Sequence, residues 1–129
     1  MAAIEIRNID HVVIRTPDVA GAIAFYCDVL GCAVERRVDS IGLIQMRAGS
    51  TMIDLFDAAK DPPQGSRNMD HFALRLESFD EDAIRAHLAA HGIEPGETKS
   101  RYGAEGDGPS IYIADPDGNT VELKGPPFA

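Results

Sequence analysis

Asp10-His11-Val12-Val13-Ile14-Arg15 returns sixty positions later as Asp70-His71-Phe72-Ala73-Leu74-Arg75, and this echo decides the fold. A helix signal follows each block, and a glycine follows each helix. With one inserted residue, Ile23 aligns with Ile84 and Gly31 with Gly92. Farther on, Met52-Ile53-Asp54-Leu55 parallels Thr120-Val121-Glu122-Leu123, each after a glycine turn at Gly49 or Gly118. A period of this length exceeds the common solenoid repeats, and a stacked array needs about three copies or more. The repeat therefore predicts a single domain of two small modules. The first covers about 5–57, a linker about 58–68 and the second module about 69–125.

Each module reads as the same element string. Ile6 to Arg15 is rich in β-branched residues and predicts a strand. Thr16-Pro17-Asp18 predicts a helix start with Thr16 as N-cap and Pro17 in the first turn. Val19, Ile23, Tyr26 and Leu30 recur at helical spacing, and Gly31 suits a left-handed cap. Three short strands follow over Ala33–Asp39, Ile41–Ala48 and Thr51–Phe56. In the second module a strand over Asp70–Leu76 leads to a capping box at Ser78 and Glu81. Its helix closes near His91-Gly92, and strands follow near Glu94–Ser100, Ser110–Ala114 and Thr120–Lys124. The reading is β-α-β-β-β twice over, an α+β fold. Asp115-Pro116-Asp117-Gly118 is a turn by composition. Ala58 to Asn68 reads as the linker. Arg101 to Pro109, glycine-rich and charged, reads as a loop too long for a tight hairpin: a mobile loop near a site, or a plain solvent loop.

Composition bounds the function. The chain has 129 residues, 44% hydrophobic and 26% charged, as an ordinary globular domain does. Twelve Lys and Arg against 21 Asp and Glu leave a net charge of −9, which argues against nucleic acid or an anionic membrane as partner. The longest apolar run, Val19 to Cys27, is nine residues, whereas a membrane span needs about twenty. Two cysteines, Cys27 and Cys32, are too few for a disulfide scaffold and fit a reducing compartment. No signal peptide is visible, and a cytoplasmic protein is expected.

Four polar side chains interrupt apolar strand sequence: His11, Asp54, His71 and Glu122. Strand alternation alone admits a solvated position for each. Their repeat-equivalent placement favours a shared site, because a pseudo-twofold packing of the modules would turn all four toward one axis. Two imidazoles with one or two carboxylates suit a divalent transition metal of intermediate softness. Arg15 and Arg75 end the first strands of the modules, as solvent charge or as an anion clamp, and Arg15 and Arg101 are the candidates for holding substrate. His87 and His91, four apart on a helix, have metal-binding spacing, but no carboxylate is near in sequence and a solvated face is favoured. The glycines at 103, 106 and 108 form no phosphate-loop pattern.

Ile9-Asp10-His11, Ala24-Phe25-Tyr26 to Leu30-Gly31, Asp70-His71-Phe72-Ala73, and Asp115-Pro116-Asp117-Gly118-Asn119 to Glu122-Leu123 together resemble the vicinal oxygen chelate superfamily. Glyoxalase I, fosfomycin-resistance proteins, methylmalonyl-CoA epimerase, extradiol dioxygenases and bleomycin-binding proteins belong to it. The likeness covers about residues 6 to 124. It implies a βαβββ pair curling into a cupped mixed sheet, a homodimer with sites at the interface, and a small-molecule substrate. It also implies His11, His71 and Glu122 as metal ligands, with Asp54 at the fourth position. The substrate would chelate the metal through neighbouring oxygens, and Glu122 or Asp54 would move the proton. Zn, Ni, Co, Mn and Fe all accept such a ligand set.

Departures from the family patterns sort its members. Val13 stands where fosfomycin-resistance enzymes carry threonine, which counts against them. Arg15 matches an arginine of glyoxalase I that suits a glutathione carboxylate. Asp54, Ala58 and Asp70 depart from its glutamate, asparagine and glycine, which sets a thiol-conjugate substrate in doubt. The expectation is a metal-dependent lyase or isomerase of the glyoxalase I type. The alternatives are a metal-free ligand-sequestering protein of the bleomycin-resistance kind and an Fe(II) ring-cleaving dioxygenase.

Overall fold

A computed structural model describes residues 2–29, 31–60, 62, 68–114 and 120–129. Among the described residues eight strands form: β1 (Ile6–Thr16), β2 (Ala33–Val38), β3 (Leu43–Ala48), β4 (Thr51–Asp57), β5 (Met69–Leu76), β6 (Lys99–Gly103), β7 (Gly106–Ala114) and β8 (Thr120–Lys124). Helix α1 (Val19–Ile23) continues as a π-helical segment over Ala24–Val29, and α2 spans Glu81–Ala90. A short 3-10 turn covers Asp39–Ile41. No helix among the described residues is long and apolar enough to cross a membrane.

The chain divides into two compact units. The first is His11–Asp70; the second is His71–Ala129 together with the segment ending at Asp10. Strand β1 passes from one to the other between Asp10 and His11.

In the first unit the strand order is β2-β3-β4-β1, with β1 parallel to β4 and the other pairs antiparallel. In the second it is β6-β7-β8-β5, with β5 parallel to β8 and the rest antiparallel. The registers repeat as well: Val13 pairs with Asp54 as Ala73 pairs with Glu122. Residue alternation then turns one face of each strand set toward its helix and puts the buried polar residues on the other, where Val13 and Met52 lie among them in the first unit. In the first unit Ile44, Met46 and Leu55 are buried against Val19, Ile23 and Tyr26. In the second, Leu76, Ile111, Val121 and Leu123 pack on Ile84 and Leu88 of α2.

Four local expectations are corrected. Asp18, not Thr16, caps α1: its carboxylate accepts from the Gly21 amide at 3.0 Å. Parallel pairing with β4 extends β1 through Thr16, which faces Asp57, so the helix begins later. Asp80, not Ser78, caps α2 by accepting from the Ala83 amide at 3.1 Å, while Glu81 turns to Arg85. Residues 94–98 form no strand. Arg101 to Pro109 is no open loop: β6 and β7 run through it and reverse at Ala104-Glu105. The helix-ending glycines are as expected, with φ +80° at Gly31 and +72° at Gly92. The turn expected at 115–118 and most of the linker lie outside the described residues.

Candidate functional site

In the second unit, β8 alternates Val121 and Leu123 toward α2 with Thr120, Glu122 and Lys124 on the opposite face. Register puts Ala73 of β5 and Tyr112 of β7 beside Glu122 on that polar face. His71, two residues before Ala73, shares it. His71 Nε2 lies 3.1 Å from Glu122 Oε1, and both side chains are buried, 8% and 1% exposed. The Tyr112 ring meets the His71 imidazole edge-on, with centroids 5.3 Å apart. Arg101 places its guanidinium carbon 4.1 Å from the Tyr112 ring centroid and donates from Nη1 to the Ser110 carbonyl and hydroxyl, each at 3.1 Å.

The hairpin is tied down beside this row. Ala104 donates its amide to Asp10 Oδ1 at 2.9 Å, and Arg75 Nε donates to Glu105 at 2.6 Å. Beneath it lies Lys124, 1% exposed. Burial pushes its ammonium below the ordinary lysine range, against the pull of Asp10, Glu122 and Asp107 and with added repulsion from Arg75. Glycine at 103 is a packing requirement: a Cβ there would stand 2.3 Å from Asp10 Oδ1 and 2.4 Å from Lys124 Cε.

In the first unit, His11 and Asp54 lie on the face of the sheet turned away from α1, both 3% exposed. Gln45 Nε2 donates to Asp54 Oδ2 at 3.1 Å, and Arg36 donates to Gln45 Oε1 at 2.8 Å. Arginine can only donate, so the Gln45 oxygen faces Arg36 and its amino group faces Asp54. Arg15 is ion-paired with Asp70, and its backbone amide meets Asn68. The structure thus joins His71 to Glu122 and sets Arg101 beside them. It places Asp54 in a relay with Gln45 and Arg36 and commits Arg15 to Asp70. His87 and His91 are exposed at the C-terminal end of α2, their rings tilted against each other with centroids 4.8 Å apart.

Tyr112, Gln45 and Lys124 were missed in the sequence. The signal was available in the alternation Ser110-Ile111-Tyr112-Ile113 and Thr120-Val121-Glu122-Leu123-Lys124, which marks one polar face across two strands. Gln45 gave less, being a single polar residue between Ile44 and Met46.

Comparison with known proteins agrees with this architecture. The chain is 33% identical over 128 residues to the glyoxalase domain-containing protein RDO1 of Mycosarcoma maydis, covering 93% of this chain and 69% of that protein. The methylmalonyl-CoA epimerase of Mycobacterium tuberculosis shares the fold with a TM-score of 0.67 at 22% identity, over 98% of this chain and 92% of that one. The Mn(II)-bound glyoxalase of Novosphingobium aromaticivorans shares it with a TM-score of 0.71 at 24% identity, over 95% of this chain and 40% of that one. These likenesses establish an α+β fold of tandem βαβββ modules, the glyoxalase-like fold. A family model matches residues 8–123, and the chain belongs to the glyoxalase/bleomycin resistance protein/dioxygenase superfamily.

Proposed function

We propose that this chain is a divalent-metal-dependent lyase or isomerase of the glyoxalase I type, acting as a homodimer on a small substrate that chelates the metal through neighbouring oxygens. His11, His71, Glu122 and Asp54 are the proposed protein ligands. The observation that carries the reading is the buried meeting of His71 Nε2 and Glu122 Oε1 at 3.1 Å. An imidazole and a carboxylate that close present two donor atoms of the kind zinc, nickel, cobalt, manganese and iron accept. His11 adds a third buried group able to offer one ligand atom. The Mn(II) bound by the Novosphingobium glyoxalase supports a metal in this fold.

The residues fit that role by chemistry. Neutral imidazoles and carboxylates bind a hard-to-intermediate cation, and burial keeps bulk water from competing. A bound divalent ion would supply Lewis-acid stabilisation to oxygen bearing developing negative charge. Glu122 and Asp54 supply the carboxylates that take a proton from carbon and return it. Gln45 holds Asp54 Oδ2 in place, so that carboxylate is set in orientation before substrate arrives. Tyr112 does the same for the His71 ring by packing against it.

The test is elemental analysis of protein purified without chelator or affinity metal, beside the His11→Ala, His71→Ala double variant. Near-stoichiometric metal in the wild type and its loss in the variant are expected. Iron would favour ring-cleaving oxygenase chemistry, whereas zinc, nickel or cobalt would favour the lyase. Absence of metal even after reconstitution refutes the proposal in favour of a ligand-sequestering protein. A second measurement concerns the carboxylate: if Glu122→Gln left both metal content and turnover intact, the role of Glu122 would be wrong.

A further inference from the structure

We infer that the substrate carries a carboxylate in addition to its chelating oxygens, and that Arg101 binds it. This deepens the metal-chelation reading and rests on it. Four observations, all within the second unit, converge on Arg101. Its guanidinium lies over the Tyr112 ring at 4.1 Å, and the same ring touches His71 edge-on at 5.3 Å between centroids. A fixed cation therefore stands one aromatic ring away from a proposed metal ligand. Its orientation is set in advance, because Nη1 is held by both oxygens of buried Ser110 at 3.1 Å.

The remaining donors are its functional edge. Arg15, Arg47, Arg75 and Arg85 each pair with a carboxylate, from Asp70, Glu35, Glu105 and Glu81 respectively. Arg101, among the described residues, pairs with none. In a chain with 21 acidic and 12 basic side chains, a half-buried arginine left without an acid is the exception. A guanidinium stacked on an aromatic face and anchored through one Nη keeps its Nε–Nη2 edge for a planar, bidentate partner. A carboxylate has that shape and charge. The net charge of −9 repels anions in general, so an anionic substrate needs such a local cation. Arg15, already neutralised by Asp70, is the weaker choice for this task.

Two hydroxamates test the inference on the cobalt-loaded protein, read by its visible absorption. Acetohydroxamate chelates through two oxygens and carries no further charge; succinate monohydroxamate has the same head with a carboxylate attached. Wild type should bind the succinate probe about ten- to a hundredfold more tightly, the equivalent of about 1.4 to 2.8 kcal/mol for a charge-assisted contact. In Arg101→Gln that preference should vanish while acetohydroxamate affinity stays unchanged, which a merely structural arginine would not produce. Arg101→Lys, keeping the charge without the fork, should retain part of the preference. Equal binding of the two probes by wild type overturns the inference without any variant, as does a preference that survives Arg101→Gln. If neither probe perturbs the cobalt spectrum, the chelation reading itself falls and the inference with it.

Discussion

Lys124→Met should make the protein more stable, although it deletes the charge at the centre of a polar cluster. Lys124 is 1% exposed, and burial lowers its pKa below 10.5 despite the attraction of Asp10, Glu122 and Asp107. A lowered lysine pKa means that the fold disfavours the charged form, with those attractions already counted. Methionine keeps most of the side-chain volume and removes the charge. Because the charged form is disfavoured even with the carboxylates beside it, removing the charge at constant volume is expected to stabilise by about 1 kcal/mol. For 129 residues the unfolding entropy is about 0.27 kcal/mol/K, so the melting temperature should rise by about 4 °C. Lys124→Ala removes the charge but opens a cavity, and should lose about 2 kcal/mol relative to the methionine variant. The pH dependence has a fixed sign. Between the folded-state pKa and 10.5 the unfolded chain binds more protons than the native one, so wild-type stability gains on the variant as pH rises. The advantage of Lys124→Met is therefore full at pH 7 and shrinks toward alkaline pH. Urea unfolding at several pH values measures it. A variant less stable than wild type at pH 7, or a difference that does not change with pH, refutes the reasoning.

Two further outcomes test the site and its support. If the proposed metal site is real, a divalent metal at a hundred times its dissociation constant should stabilise the fold by about 2.7 kcal/mol, or about 10 °C in thermal melts. Chelator should reverse the shift and His71→Ala abolish it; an equal shift in that variant would place the ion elsewhere. Gly103→Ala should cost about 2 kcal/mol, because its Cβ would stand 2.3 Å from Asp10 Oδ1 and 2.4 Å from Lys124 Cε. An unchanged melting temperature and unchanged amide exchange in β6 and β7 would show that the hairpin is looser than this packing requires.

The repeated Asp-His block made the architecture legible because a parallel pairing fixes register. Once His11 and His71 are equivalent, Val13–Asp54 and Ala73–Glu122 follow as equivalent pairs, and both appear. What escaped was set by tertiary partners rather than by local pattern. Thr16 and Ser78 are good caps by composition, but strand pairing carries β1 through Thr16, and an aspartate at the right distance wins each helix. The glycines of Arg101 to Pro109 look like loop composition. Gly103 is instead required by Asp10 and Lys124, which no sequence pattern could place against it.

The same registers show where the two modules part in chemistry. Gln45 faces Asp54 across β3 and β4 as Tyr112 faces Glu122 across β7 and β8, so amide and phenol ring occupy equivalent positions. Each has an arginine on its far side. In the first unit Arg36 donates to Gln45, which passes the polarity on to Asp54. In the second a ring cannot relay a hydrogen bond through its face, so Arg101 stacks on Tyr112 instead and retains its charge and its donor edge. Both modules thus carry an arginine behind a carboxylate, although Arg36 pairs directly opposite Gln45 whereas Arg101 pairs opposite Gly108. The change from amide to ring separates an arginine that orients an acid from one able to meet an anion. Exchanging them tests this: Tyr112→Gln should turn Arg101 inward and reduce the preference for the succinate hydroxamate, whereas Gln45→Leu should leave that preference intact.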